Sequence, residues 1–166
     1  MGPSLKRRSS RAWLVVVLMA AFAAVAVLRP PRRRTAGAPT GAVEYVFDGD
    51  TVLLADGRRI RYIGIDCPEL DSANDRNRRL ASAARDLNVR LVGGKTVRLE
   101  YDVETKDRYG RTLAYVYAGD TFVNGALVRA GLARSSVYGD NTRYAGELDR
   151  LEETARTEGK GLWADD

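Results

Sequence analysis

The feature that most constrains the fold of this chain is a pair of short apolar runs followed by a turn signal. Val43–Phe47 and Thr51–Ala55 have the composition of β-strands, and Asp56-Gly57 separates the second run from the alternating stretch Arg59–Ile65. An Asp-Gly pair between two such runs favours a tight hairpin, because glycine takes the positive φ that the turn requires. The sequence therefore predicts antiparallel strands in this region.

Further strands and three helices complete the predicted fold. Thr96–Tyr101, Leu113–Tyr117 and Thr121–Val123 have strand composition. Apolar residues at helical spacing precede a glycine in three places: Leu80, Ala83, Ala84, Leu87 and Leu91 before Gly93; Val123, Leu127 and Ala130 before Gly131; and Leu148, Leu151 and Ala155 before Gly159. About five strands, with one helix before the fourth and two after, predict an α+β fold that is mainly β. We expect a five-stranded barrel of the oligonucleotide-binding (OB) type with about three helices.

The composition restricts the chemistry that this chain can perform. It has no histidine and one cysteine, Cys67. These counts exclude internal disulfides, zinc sites built from several thiolates or imidazoles, and Ser-His or Cys-His nucleophilic systems. Acid–base chemistry must then use carboxylates, tyrosine, lysine or metal-bound water. A site rich in oxygen donors favours calcium, magnesium or manganese.

The positive charge of the chain belongs to its N-terminal part. Eight of the 27 Lys and Arg lie in residues 1–40, where there is no Asp or Glu, so residues 41–166 carry 19 basic against 22 acidic side chains. The high pI is therefore no evidence for a nucleic-acid-binding face. Any such face must come from local clustering.

The first 42 residues predict an export or anchoring segment and a linker. A basic region, 1–11, precedes the uncharged stretch 12–28, and residues 29–42 have the composition of a flexible linker. The stretch 12–28 is either a signal peptide that is cleaved or an uncleaved membrane anchor, with the anchor slightly favoured over cleavage. The stretch 12–28 could also be a buried core helix, but the basic residues on both sides of it argue against that interpretation.

Three short motifs carry residues suited to phosphodiester hydrolysis. They are Asp48-Gly49-Asp50-Thr51, the stretch from Arg61 to Asp66-Cys67-Pro68-Glu69, and Asp107-Arg108-Tyr109-Gly110-Arg111. A metal and guanidinium groups stabilise charge on phosphate oxygens, while a carboxylate orients or deprotonates water. Asp50 and Asp66 lie at ends of predicted strands, where a barrel can bring them together. Two adjacent carboxylates imply either a metal ion or a raised pKa.

The order and spacing of these motifs resemble the thermonuclease family, the staphylococcal nuclease-like calcium-dependent nucleases. The resemblance spans about Val43 to Trp163, which we take as a domain over 43–163. It implies the same barrel architecture. It also implies a calcium-dependent phosphodiesterase that hydrolyses DNA and RNA by direct attack of water and leaves 3′-phosphate ends.

The resemblance further implies a metal site. Asp50 and Asp66 match positions that ligate calcium, joined by the main-chain carbonyl of the residue that follows the second aspartate. That residue is Cys67 in this chain, where the best-known member has threonine. Because the ligand is a main-chain oxygen, the change need not weaken metal binding.

Roles toward the substrate also follow from the resemblance. Arg61 and Arg111 match arginines that hold the scissile phosphate, for which the planar guanidinium is better suited than lysine. Glu69 matches the glutamate that activates or orients the attacking water. Arg108 and Tyr109 match positions that help to hold a terminal phosphate and stack near a base. Each of these arginines alone could be an ordinary surface residue. Their joint occurrence at the spacing of the family favours a functional role.

Two other functions remain open from the sequence. One is a non-catalytic OB-fold nucleic-acid-binding module anchored at the membrane, and the other is a calcium-stabilised surface protein. The complete residue set argues against the first, and the arginines argue against the second. The expected partners are DNA and RNA as substrates and the membrane through residues 12–28 if they are uncleaved, with the protein a monomer. The expected location is extracytoplasmic, either anchored or secreted.

Overall fold

A closed five-stranded β-barrel forms the centre of the fold in the computed structural model, which describes residues 37–164. Its strands are β1 (Thr40–Val46), β2 (Thr51–Leu54), β3 (Arg59–Tyr62), β5 (Thr96–Glu100) and β6 (Thr112–Ala118). The order β3-β2-β1-β5-β6 is antiparallel throughout, and a parallel pairing of β3 with β6 closes the barrel. The predicted α+β, OB-type barrel is confirmed.

Within residues 37–164, three helices and three very short strands pack around the barrel. The helices are α1 (Asp75–Val92), α2 (Val123–Arg129) and α3 (Ala145–Thr157), and a 3₁₀ turn covers Gly161–Trp163. The short strands are β4 (Ile65–Asp66) and β8 (Arg134–Ser135), which pair with each other, and β7 (Thr121–Phe122), which extends the sheet at β6. Among the described residues, no helix is long and apolar enough to span a bilayer. The predicted segment at 12–28 lies outside the described residues.

The barrel interior explains why the strands alternate. In β3, Ile60 and Tyr62 are buried, whereas Arg59 is exposed and Arg61 is half-buried. Alternate strand residues point to opposite faces, so the two arginines lie on the outer face. The buried set, contributed by all five strands and by the helices, includes Val52, Leu54, Val97, Leu99, Tyr115, Val116, Leu127 and Leu148.

Local signals set most element boundaries. The Asp56-Gly57 hairpin joins β2 to β3, with Gly57 at φ +83°, and Leu54 exchanges main-chain hydrogen bonds with this loop. Asn74 caps α1, because its side chain accepts a hydrogen bond from the Asn77 amide. Gly131 takes φ +69° after α2, as its predicted position beyond the helix end requires.

Two predicted strand boundaries are wrong by more than one residue. Strand β1 begins at Thr40, inside the stretch predicted as linker, because residues 40–42 pair with β5. The predicted strand Arg59–Ile65 is interrupted, since Gly64 adopts φ +76° and turns the chain between β3 and β4. This turn changes the chain direction immediately before Asp66.

The segment after α3 docks against the end of α2. The Leu162 amide donates to the Gly131 carbonyl at 2.8 Å. A Cβ at Gly131 would lie 2.2 Å from the Lys160 carbonyl oxygen, so the two backbones are in direct contact. On the other side, the guanidinium of Arg76 in α1 donates to the carbonyls of Gly161 at 3.3 Å and Ala164 at 2.5 Å.

Candidate active site

One arginine bridges the two aspartates that the sequence singles out. The guanidinium of Arg61 forms an ion pair with the Asp50 carboxylate through Nη1 and with Asp66 Oδ1 through Nη2, the latter at 2.8 Å. Asp50 is buried, and the Arg61 side chain is 17% exposed. The structure thus brings together residues separated by 16 positions in sequence, as predicted.

Strand register explains this convergence. Thr51 in β2 is paired with Arg61 in β3, so Asp50 lies immediately beside Arg61. The Tyr62 amide donates to the Asp50 carbonyl at 2.9 Å, which extends the pairing by one residue. The turn at Gly64 then returns the chain, so that Asp66 meets the other side of the same guanidinium.

The turn that carries Asp50 is held from several sides. The Asp50 amide donates to Asp48 Oδ1 at 3.0 Å, which closes the turn around Gly49. Asn88 of α1 donates through Nδ2 to the Asp48 carbonyl at 3.0 Å and accepts from the Tyr62 hydroxyl at 2.9 Å. Helix α1 therefore ties the turn to the barrel, and Asn88 positions the site without reaching it.

Asp48 also reports on the charges around it. Partial burial raises the pKa of this carboxyl above its ordinary value, while a hydrogen bond with Thr51 and the charges of Arg61 and Arg111 act in the opposite direction. Both arginines are thus close enough to act on one carboxyl group.

Asp107 holds the second predicted arginine in place. Arg111 donates through Nε to Asp107 Oδ2 at 2.6 Å, and its amide donates to Asp107 Oδ1 at 2.9 Å. These bonds from Arg111, together with that from the Tyr109 amide, lower the pKa of Asp107 against the opposing effect of its burial. The turn 107–111 therefore fixes the Arg111 side chain through its Nε atom and leaves the two Nη atoms available to a ligand.

Arg108 and Tyr109 form the outer part of the same turn. The Arg108 guanidinium donates to the Tyr109 hydroxyl at 2.7 Å, and its Cζ lies 4.8 Å from the ring centroid. Arg111 Cζ lies 5.6 Å from the same centroid. Tyr109 is 69% exposed, so most of its ring is available to a ligand.

The basic and aromatic residues line one cleft. It has a volume of about 850 Å³, which is large enough for a nucleotide, and Arg61, Arg111, Arg108 and Tyr109 all lie on its wall. Asp50 and Asp66 contact Arg61 but do not themselves line the cleft. The cleft presents guanidinium groups to a ligand, and anionic groups are the ligands that guanidinium binds best.

Glu69 stands apart from this cleft. It follows Pro68, is exposed and, within residues 37–164, makes no side-chain hydrogen bond or ion pair. Its negative charge contributes to raising the pKa of the buried Cys67 thiol, although burial is the larger cause. Glu69 is therefore close to Cys67.

The donor set fits a hard divalent cation. Asp50 and Asp66 converge on one positive charge, and the Cys67 amide donates to Asp50 Oδ2 at 2.9 Å, so the Cys67 main chain adjoins both carboxylates. All of the predicted donors are oxygens, as calcium and magnesium prefer. In the described part of the chain, no three His, Cys, Asp or Glu side chains are grouped to hold a metal ion. Two carboxylates and a main-chain carbonyl would not form such a group.

Three residues with no role assigned from the sequence support the cleft. Tyr138 is 68% exposed and lies on the cleft wall with Tyr109. Asn88 and Asp107 hold the two turns, as described above. Asp107 had a local signal, since an Asp before a turn that ends in Gly-Arg can accept its amides. Tyr138 and Asn88 had none, because only tertiary contacts bring them to the site.

Comparison with known proteins gives consistent matches. The family model described as "Staphylococcal nuclease homologue" matches residues 59–165. A thermonuclease of Staphylococcus intermedius is 39% identical over 124 residues, covering 73% of this chain and 74% of the relative. A thermonuclease of Staphylococcus hyicus is 38% identical over 122 residues, covering 72% of each chain. An uncharacterized endonuclease of Escherichia coli O157:H7 is 40% identical over 129 residues, covering 75% and 77%.

Proposed function

Because this chain belongs to the staphylococcal nuclease homologue family, we propose that it is a calcium-dependent phosphodiesterase acting on DNA and RNA and leaving 3′-phosphate ends. At the coarser level the chain is a hydrolase of the nuclease class. The metal, the two substrates, the direct attack of water and the product ends are the parts that we propose.

The observation that carries the proposal is the placement of Arg61. Its guanidinium touches both Asp50 and Asp66 and also lines the cleft that Arg111 shares. A single side chain thus links the candidate metal site to the candidate phosphate site. A phosphate in the cleft would lie between the guanidinium groups of Arg61 and Arg111. If Arg61 turned toward that phosphate, the carboxylates of Asp50 and Asp66 would need another cation between them.

Each group has a chemical task in this proposal. Asp50, Asp66 and the Cys67 carbonyl would hold calcium, which when bound supplies Lewis-acid stabilisation of charge on a phosphate oxygen. Arg61 and Arg111 would bind the remaining oxygens and become more tightly bonded as charge accumulates in the transition state. Glu69, exposed and unpaired within the described residues, would accept the proton of an attacking water.

Arg108, Tyr109 and Tyr138 would hold the rest of the nucleotide. The two tyrosines are exposed on the cleft wall, and aromatic rings bind bases by stacking with little sequence preference. Arg108 adds a positive charge at the outer end of the turn. This arrangement supports cleavage of single-stranded segments, whose bases are free to stack.

A location outside the cytoplasm is also part of the proposal. It rests on the uncharged stretch 12–28 with basic flanks, which predicts export or anchoring. We further propose that the protein acts as a monomer. A reporter fused to residues 1–40 and fractionated from cells would test the location, since a reporter that stays in the cytosol would contradict it.

A digestion assay tests the activity. The purified protein would be incubated with plasmid DNA, single-stranded DNA and RNA in calcium, in magnesium and in chelator, and product ends would be identified by their sensitivity to a 3′-phosphatase. We expect cleavage with calcium only and 3′-phosphate ends. Arg61→Lys should be inactive, whereas Arg150→Lys on the exposed surface of α3 serves as the matched control. Binding of DNA without cleavage would support the non-catalytic module instead.

A further inference from the structure

Three residues on the outer face of the barrel and one on helix α1 form a row of cations and aromatic rings, which we call the outer row: Tyr45, Phe47, Arg59 and Arg85. The Arg59 guanidinium carbon lies 3.9 Å from the Phe47 ring centroid, and the rings of Phe47 and Tyr45 meet edge to face at 5.0 Å. Arg85 of α1 lies 5.9 Å from the Tyr45 centroid. None of these residues has a role in the proposed catalytic machinery.

Strand register shows that the row crosses the sheet. Leu53 of β2 is paired with Tyr45 on one side and with Arg59 on the other, so these side chains share one face. Arg59 also shares the outer face of β3 with Arg61. Neighbouring strands are about 4.8 Å apart, so the row extends about 10 Å across the sheet from β3.

The row begins where the candidate active site ends. Arg59 lines a surface hollow of about 330 Å³ together with Tyr109, Gly110 and Arg111. Arg111 and Tyr109 are at the same time on the wall of the main cleft. A ligand leaving the cleft past Tyr109 would therefore meet Arg59 next, and then the two rings.

The row is accessible and its chemistry is selective. Tyr45 is 50% exposed and Arg59 is exposed. Residues 41–166 carry more acidic than basic side chains, so two arginines beside two aromatic rings are a local exception rather than part of a general positive charge. Cations next to aromatic rings bind backbone phosphates and unstacked bases.

We propose that the outer row is an extended binding site for single-stranded nucleic acid, which holds the part of a long substrate that lies beyond the cleft. This proposal rests on the proposed nuclease function and adds a specificity for substrate length. Barrels of this type contact about 4–16 nucleotides, which is more than the cleft alone accommodates. Tyr45 would stack on a base, and Arg59 would contact a phosphate.

Steady-state kinetics on substrates of two lengths test the proposal. A 12-nucleotide single strand covers the cleft and the row, whereas a dinucleotide covers the cleft alone. For the double variant Tyr45→Ala, Arg59→Ala we expect KM for the 12-mer to rise about tenfold with kcat unchanged, since one stacked base and one phosphate contact are lost. The parameters for the dinucleotide should stay at wild-type values. Arg59→Ala alone should reduce the salt slope of 12-mer binding by about 0.7.

Two controls separate stacking from folding and from general charge. Tyr45→Phe keeps the ring and should keep the wild-type KM for the 12-mer. Arg150→Ala removes one exposed charge from α3 and should leave KM unchanged for both substrates. An equal rise of KM for both substrates, or an unchanged KM for the 12-mer, would overturn the proposal. Lost self-association in sedimentation with an unchanged 12-mer KM would instead assign the row to a contact between copies. Failure of the wild-type protein to cleave either substrate would refute the nuclease function itself.

Discussion

Replacing Arg61 by glutamine tests whether this side chain acts as a built-in counterion for the two aspartates. In the structure it pairs with Asp50, whose side chain is 6% exposed, and with Asp66, whose side chain is 44% exposed. Glutamine keeps a polar side chain but removes the charge. Both carboxylates then face each other across the site without a cation between them.

The expected cost can be worked from these exposures. Removing one partner of a buried ion pair costs about 3–5 kcal/mol, whereas the exposed Asp66 half contributes about 0–1 kcal/mol. Asp50 keeps hydrogen bonds from the Cys67 amide and the Thr51 hydroxyl, which moderate its loss. We therefore expect Arg61→Gln to lower the free energy of unfolding in chelator by about 3 kcal/mol.

Calcium should largely reverse this loss. In the wild-type protein a metal ion must compete with Arg61 for the carboxylates, but in the variant they are free to bind it. A ligand present at 100 times its Kd stabilises by about 2.7 kcal/mol. The increase in unfolding free energy on adding calcium should thus be larger for Arg61→Gln than for the wild type, even though the variant has lost an arginine that we propose to bind the scissile phosphate.

Denaturant unfolding with and without calcium measures both quantities. Arg129→Gln is the matched control, because Arg129 pairs with Glu158 where both side chains are well exposed, and it should change stability by less than about 1 kcal/mol. If Arg61→Gln in chelator is as stable as this control, Arg61 is not the counterion of the buried aspartate. An equal calcium increment in variant and wild type would show that the aspartates do not form the metal site.

Three further substitutions probe the remaining parts of the site. Arg111→Lys should raise the activation free energy that sets kcat by about 2.7–4 kcal/mol, because lysine cannot reproduce the guanidinium geometry. Turnover near the wild-type rate would show that Arg111 does not stabilise the transition state. Glu69→Gln should lower kcat by a factor of about 10²–10⁴ but leave the Kd of a nucleotide bisphosphate nearly unchanged in calorimetry, and a large change in that Kd would contradict its role toward water. Gly49→Ala should destabilise the fold by about 1–3 kcal/mol in urea unfolding, since a Cβ there would lie 2.5 Å from Cys67 Sγ and 2.8 Å from Ala84 Cβ; a stable variant would show that the turn is loose.

The barrel could be predicted because its signals are local. Alternation in β3, the turn at Gly57 and the glycine after α2 each act within a few residues, and all three predictions are confirmed. The start of β1 could not be predicted, because Thr-Gly-Ala has no strand composition and pairs with residues more than 50 positions away. The two-residue strands β4 and β8 likewise exist only through a long-range pairing.

The site shows the same division. Its motifs indicate which residues take part, and the structure brings Asp50, Asp66 and Arg61 together. The sequence implied that two adjacent carboxylates need either a metal ion or a raised pKa, whereas in the structure Arg61 is a counterion shared by both. Which arginine lies between two carboxylates depends on strand register, and a chain with many arginines gives no local indication of it.

The docking of the 3₁₀ turn Gly161–Trp163 against Gly131 has a consequence for folding during translation. All the candidate metal donors precede residue 70, whereas the segment 161–164, which packs on the end of α2 and accepts hydrogen bonds from Arg76, is translated after every one of them. A nascent chain that already contains every proposed metal ligand still lacks the segment that connects α1 to the end of α2. We expect such a chain to remain protease-sensitive and inactive until residue 163 has emerged, so the order of translation itself delays the appearance of nuclease activity.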